Sequence, residues 1–282
     1  MAFDPEVVYI SPSSVADFEK CPQLYYLRNV FRTSRGLKLQ QITPALALGQ
    51  TVHDAIDRLV KLEPSERSQN RLLEEFEWSW QAVSGQKGGF TTEETEYKQR
   101  GREMLNRFWE NPNFHSALGA QIPNFPKVDL GEKLILTGKL DWVEQEGEGY
   151  HIIDFKTGKN EQRTDSVQLP TYALMVHEIF KTTNIKASYW YLDKTSQMQA
   201  VDLPDLGESK TLLTQKGEII KLARSTNSMR CQSGGQSCYA CSDMLSISKG
   251  QGKLVTIDPT RKQEIYILPK ADKIVANDEL PF

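Results

Sequence analysis

Asp141 and Asp154 flank the segment Glu146-Gly-Glu-Gly149, and Lys156 follows two residues after the second carboxylate. Strand character runs from 133 to 143 and resumes from 150 to 156, which predicts a β-hairpin. With the turn centred between Gly147 and Glu148, paired positions sum to 295, so Asp141 faces Asp154. Directly opposed carboxylates destabilise a sheet unless something positive lies between them. Alternation places Lys156 on the face of Asp154, with Trp142, Ile153 and Phe155 on the other. His53 lies at the edge of an apolar helical stripe. Two carboxylates, an imidazole and a lysine make a hard-cation site, suited to Mg²⁺ or Mn²⁺ and to phosphodiester hydrolysis. Taken singly, each has a plainer reading: an exposed strand carboxylate, a surface Asp/Lys pair, a boundary histidine.

The four cysteines form a second chemical group. Cys21 stands alone near the start, while Cys231, Cys238 and Cys241 fall within eleven residues. Cys238-Tyr-Ala-Cys241 is a C-x2-C pair, and Gly234 and Gly235 free the preceding loop to bring in Cys231. Four thiolates suit zinc or an iron-sulfur cluster. Inert buried cysteines with a chance C-x2-C are the competing reading.

These groups need elements to position them. Ser11-Pro12 with Ser14-x-x-Asp17 reads as a capped helix start that carries Cys21. Val52, Ala55, Ile56, Leu59 and Val60 mark a helix from Gly49 that ends before Pro64. Two helices, over 71–83 and 93–109, make a helical insertion or lid spanning about 65–125. A helix over 168–180 sets Gln168 and Tyr172 one turn apart, followed by a strand over 186–192 and a helix over about 210–225. The cysteine region spans 225–245. The last forty residues read as weakly structured, with one strand over 264–268 and a tail over 269–282. The expectation is a single α/β domain over 1–282, with a mixed central β-sheet flanked by helices.

Composition narrows the function classes. With 18 Gly and 13 Pro in 282 residues and 25% charged residues, collagen-like, low-complexity and strongly disordered chains are excluded. No run approaches 18 apolar residues, and Asp4 and Glu6 break any basic secretory leader, so the expected location is cytoplasmic, with no membrane partner. A net charge of −3 gives no global attraction to nucleic acid, so binding needs a local basic surface. Lys98, Arg100 and Arg102, in a segment with Tyr97, Phe108 and Trp109, together with Arg28 and Arg32, are candidates to follow a single strand, against the plainer reading of solvated faces. No G-x4-G-K-[ST] occurs, so helicase or ATPase activity would come from another chain.

Gly49-x-x-x-His53, Gly138-Lys-Leu-Asp141, Asp154-Phe-Lys156-Thr-Gly158 and Gln168-x-x-x-Tyr172 together resemble the PD-(D/E)XK nuclease superfamily, specifically its RecB-like or CRISPR-adaptation-type exonucleases. Ser11-Pro-Ser-Ser and Phe18-Glu-Lys-Cys21-Pro22 look like the same branch. The resemblance implies a restriction-endonuclease-like core whose termini are closed by a cysteine-ligated [4Fe-4S] cluster on Cys21, Cys231, Cys238 and Cys241. It implies that His53, Asp141, Asp154 and the Phe155 carbonyl bind Mg²⁺ or Mn²⁺. Lys156 would orient water and stabilise charge on the phosphate, with Gln168 and Tyr172 positioning these groups. The implied activity is cleavage of DNA, from single-stranded ends, in repair, recombination or replication. A flap or structure-specific endonuclease and a non-catalytic DNA-binding scaffold are the alternatives. In similar nucleases a third cysteine follows C-x2-C, where this chain has Ser246-Ile-Ser248, so zinc remains an alternative occupant. The ending Asp278-Glu-Leu-Pro-Phe282 resembles the acidic tail of bacterial single-stranded DNA-binding proteins and implies docking on a helicase or on a replication or repair partner, with a frayed tail as the plainer reading.

Overall fold

The computed structural model describes residues 7–269. The candidate docking tail at 278–282 and the leader residues Asp4 and Glu6 lie outside that range. In chain order the first elements are β1 (Val8–Ile10), α1 (Pro12–Lys20), α2 (Pro22–Tyr25), β2 (Lys38–Gln41) and α3 (Pro44–Val60). Next come α4 (Gln69–Gln81), α5 (Glu94–Trp109), α6 (Asn113–Ser116), β3 (Lys127–Gly131), β4 (Leu134–Thr137), β5 (Trp142–Glu146) and β6 (Gly149–Lys156). The chain continues with α7 (Gln168–Phe180), β7 (Ile185–Tyr191), β8 (Gln199–Val201), α8 (Leu206–Ser225), α9 (Ser242–Ser246), β9 (Lys253–Asp258) and β10 (Gln263–Ile267). Among the described residues no helix is long and apolar enough to cross a membrane.

The strands form three mixed sheets, β5-β6-β7-β8, β1-β4-β3 and β2-β10-β9. In the first, β5 and β6 are antiparallel, β6 and β7 parallel, and β7 and β8 antiparallel. Trp142 pairs with Ile153 and Val143 with Ile152, which is the 295 register, and Gly147 takes a φ of 61° in the turn. Two apolar cores sandwich this sheet. On one face Val143, Ile152 and Tyr189 pack with α7, α8 and the β1-β4-β3 sheet. On the other Trp142, Ile153, Phe155 and Trp190 pack with α3, α4 and α5.

Four expectations change. The strand read over 133–143 is two strands in different sheets, β4 and β5, separated by Gly138–Asp141. At Gly138 an added Cβ would lie 3.1 Å from the Tyr172 ring, so the backbone between the two strands passes close to α7. The helix carrying His53 starts at Pro44 with Thr43 as its cap, and the first helix is capped by Ser11, which forms a capping box with Ser14. The described part of the last forty residues, 243–269, is not weakly structured, because β9 and β10 join β2 in a sheet, while the tail over 270–282 lies outside the described residues. Finally, α4 and α5 are core rather than lid: Phe76 and Trp80 of α4 and Phe108 of α5 are buried, and Phe108 stacks on Trp190 at 5.4 Å.

Helix α5 reaches α4 closely only because position 101 lacks a side chain, an added Cβ there meeting Phe76 Cζ at 2.4 Å. Gly101→Ala is therefore expected to destabilise the protein by about 1–3 kcal/mol, through overpacking that outweighs the better helix propensity of alanine. Chemical denaturation of the two proteins measures it.

Candidate active site and cysteine site

The candidate catalytic residues meet at the end of β6, where β5 stops short. Because β5 begins at Trp142, Asp141 lies just outside the ladder, and its Oδ2 accepts the Phe155 N–H at 3.0 Å. The N–H and C=O of one strand residue point to the same edge. Leu192 N–H donates to the Lys156 carbonyl at 2.9 Å on the β7 side, so the Phe155 carbonyl points the other way, toward Asp141. The gap also admits a group from the opposite layer: His53, on α3, places Nδ1 3.1 Å from Asp141 Oδ1. Gly49 makes that reach possible, since an added Cβ would be 3.0 Å from Thr157 Oγ1, just beyond β6. A glycine one turn before the histidine thus lets α3 lie against the strand end.

From the other layer, α7 delivers Gln168 and Tyr172. Gln168 Nε2 donates to Asp154 Oδ1 at 2.7 Å and to the Tyr172 hydroxyl at 3.1 Å, while Lys156 Nζ donates to Gln168 Oε1 at 2.6 Å. Asp154 is 1% exposed; its Oδ2 accepts no well-aligned hydrogen bond, although Lys156 Nζ stands 2.7 Å away.

The electrostatics follow from this crowding. Burial pushes the Asp154 carboxyl up to about 6, aided by the Asp141 charge and opposed by Lys156. Burial acts upward on Asp141 too, but the charge and hydrogen bond of His53 and the Phe155 N–H outweigh it and hold that carboxyl below its usual range. Burial disfavours the His53 imidazolium, yet Asp141 and Asp154 outweigh it and raise its pKa. Burial and the Asp154 charge keep the Tyr172 phenol protonated well beyond its ordinary range. A buried carboxylate oxygen lacking an aligned donor, a second carboxylate and an imidazole are hard donors that fit a divalent cation.

The four thiols form a separate site, with their sulfurs all within 4.8 Å of one another, the one such group of Cys, His and acidic ligands among the described residues. Cys21 lies between α1 and α2, and burial pushes its thiol up while the Leu24 and Gln23 N–H groups pull it down. Backbone N–H groups of Cys241 and Ala240 bring the Cys238 thiol down to about 7, and burial keeps that of Cys241 high. Amide donors aimed at sulfur suit thiolate ligation, so the set fits a metal ion or cluster. Leu24, Leu39, Met244 and Ile247 pack around it, joining the first helices to the C-terminal segment.

A groove of about 1200 Å³ opens on the candidate catalytic residues at Gln168 and Tyr172. Its acidic residues are engaged: Asp17 with Arg28, Asp165 with Arg163, Glu161 with Lys194 and Glu19 with Lys216. Lys20, Lys38 and Lys139 also line it, and among the described residues none of the three forms an ion pair. Of the basic candidates from sequence, Arg28 lines the groove. Arg32 instead donates to the Asn29, Val30 and Phe31 carbonyls, Lys98 and Arg102 pair with Glu77, and Arg100 pairs with Asp193. Nothing in the sequence pattern singles out these three lysines, although Lys139 sits inside the Gly138-Lys-Leu-Asp141 segment.

The chain belongs to the PD-(D/E)XK nuclease superfamily, whose family model matches residues 9–242. The domain is thus a nuclease domain of a family that uses divalent metals and acts on nucleic acid. Among solved structures it is similar to a "Putative exonuclease" from Eubacterium rectale, at 13% identity and a TM-score of 0.49, over 83% of this chain and 86% of that one. No curated protein matches it in sequence.

The Asp154 pKa carries a stability consequence. A carboxyl raised from 3.8 to about 6 on folding contributes stability that is fully present below pH 3.8 and lost as pH rises through 6. The depressed Asp141 acts in the other window, below pH 3.8. In protein freed of divalent cations, Asp154→Asn is expected to melt above wild type at pH 7 and to converge with it near pH 4. Thermal melts across pH test this, and added Mg²⁺ should narrow the gap by stabilising only wild type.

Proposed function

We propose that this chain is a divalent-metal-dependent deoxyribonuclease that hydrolyses phosphodiester bonds from single-stranded ends, as an exonuclease of the RecB-like kind, in DNA repair, recombination or replication. The carrying observation is the convergence of His53, Asp141, Asp154, Lys156, Gln168 and Tyr172 at one strand end, opening through Gln168 into a groove with three lysines that form no ion pair among the described residues. Residues 1–282 act as one nuclease domain.

His53, Asp141, Asp154 and the Phe155 carbonyl would hold Mg²⁺ or Mn²⁺, which when bound polarises the phosphate and lowers the pKa of coordinated water. Lys156 orients the attacking water and places positive charge where the phosphate gains negative charge. Gln168 fixes the Lys156 ammonium, from 2.6 Å, and the Asp154 carboxylate in one arrangement, and Tyr172, protonated throughout the working range, braces the Gln168 amide. Lys20, Lys38 and Lys139 hold the phosphate backbone. Cys21, Cys231, Cys238 and Cys241 hold a [4Fe-4S] cluster, or zinc in its place, and tie the first helices to the C-terminal segment.

Incubation of end-labelled single-stranded DNA with Mg²⁺ or Mn²⁺ tests the activity. Cleavage is expected from wild type and a loss of at least about 100-fold from Asp154→Ala and Lys156→Ala; cleavage that persists in both, or none from wild type, refutes the proposal. Because proton and metal compete for Asp154, the Mg²⁺ concentration giving half-maximal cleavage should rise as pH falls below about 6. Lys38→Ala and Lys139→Ala should each lower the slope of log affinity against log salt by about one. A brown protein purified without oxygen identifies iron-sulfur in the cysteine site, and a colourless one containing zinc identifies the alternative.

A further inference from the structure

Two aromatic side chains in the groove belong to none of the apolar cores. Tyr239 is 90% exposed and Phe125 53%, and both line the same groove as Gln168 and the three unpaired lysines. Scattered exposed aromatics are ordinary on protein surfaces. Trp78, 56% exposed, is one of these: the Arg58 guanidinium covers its ring at 3.6 Å, and it does not line the groove. The two groove aromatics are held differently.

Tyr239 sits in the C-x2-C turn, between Cys238 and Cys241, whose side chains are turned inward at 7% and 0% exposure. With its neighbours anchored in the cysteine site, the turn presents the phenol ring outward. Phe125 adopts a φ of 55°, a conformation that costs a bulky residue energy and gathers where a ligand must be met. Pro126 follows it directly and restricts its backbone further.

Aromatic faces beside cations that have no carboxylate partner are the two components that hold a single nucleic-acid strand, the cations tracking phosphates and the rings stacking on bases. In a duplex both faces of each internal base are covered by its neighbours, so only an unpaired strand can use such rings. We infer that Tyr239 and Phe125 are base-stacking residues that give the groove its specificity for single-stranded DNA. This deepens the nuclease reading and rests on it. The turn that carries two of the cysteine ligands thereby also builds a wall of the substrate path.

The test compares wild type, Tyr239→Ala, Tyr239→Phe and Phe125→Ala, with Ca²⁺ in place of Mg²⁺. Fluorescence anisotropy reads the binding of a short single strand and of its blunt duplex, and an oligonucleotide carrying 2-aminopurine reports stacking through quenching. Each alanine variant should bind the single strand about ten-fold more weakly and lose quenching, while Tyr239→Phe matches wild type and duplex binding is unchanged throughout. Single-strand binding by both alanine variants equal to wild type, beside normal Mg²⁺-dependent cleavage by wild type, overturns the stacking assignment and leaves the nuclease reading standing. Equal losses on single strand and duplex overturn the specificity. A wild type that neither binds nor cuts DNA overturns both readings together. Tyr239, being almost wholly exposed, carries the test alone if Phe125→Ala does not fold.

Discussion

Two carboxylates forced close together at the end of one strand pair set the terms for the rest of the domain. Burial disfavours the Asp154 charge and the neighbouring Asp141 carboxylate adds repulsion, so Asp154 holds its proton up to about 6. A fold can keep such a pair only by surrounding it with compensating groups, and here they come from three different elements. His53 arrives from α3, the Phe155 N–H and Lys156 from β6, and the Gln168 amide from α7. The arrangement is costly for an isolated strand pair and tolerable only where a helix packs on each face of the sheet.

The two cores therefore do more than exclude water. The helices that fill them, α3 on one side and α7 on the other, lie on opposite faces of β6, so their side chains can meet only around its end. Termination of β5 at Trp142 opens that passage. Two glycines set the distances: Gly49 lets α3 approach Thr157, and Gly138 lets the chain before Asp141 pass Tyr172. Each lies in a short motif that reads as chemistry in the sequence, yet its role is to remove volume.

What could be read from the sequence divides along the same line. Period-two alternation and a turn at Gly147–Glu148 were enough for the register that pairs Trp142 with Ile153, because a two-residue loop leaves a hairpin little freedom, but the ladder stops there and Asp141 falls just outside it. The apolar stripe of α7 gave its bounds for the same local reason. Information carried by distant residues was not legible. The break between β4 and β5 goes with the pairing of β4 to the distant β1, and the β2-β10 pairing joins Lys38 to Gln263 across most of the chain. The basic residues of α5 looked free in sequence, but Glu77 and Asp193 engage them in the structure. Groove lysines without partners are equally invisible until the acids beside them are seen to be paired elsewhere.

Long-range pairing also explains where the cysteine site stands. Parallel association of β2 with β10 closes a loop containing most of the protein, and closure of that length carries an entropic cost that short strands repay poorly. The small core around Cys21, Cys238 and Cys241 lies beside this junction and includes Leu39 of β2. Drawing four thiols within 4.8 Å of one another fixes α1, α2 and the C-terminal segment at one point. Lys20, Lys38 and Tyr239 are carried by those same pieces and face the groove. Closing the chain and shaping the groove are thus a single constraint, and a change that loosens the thiol site must displace the groove wall before it reaches the carboxylates.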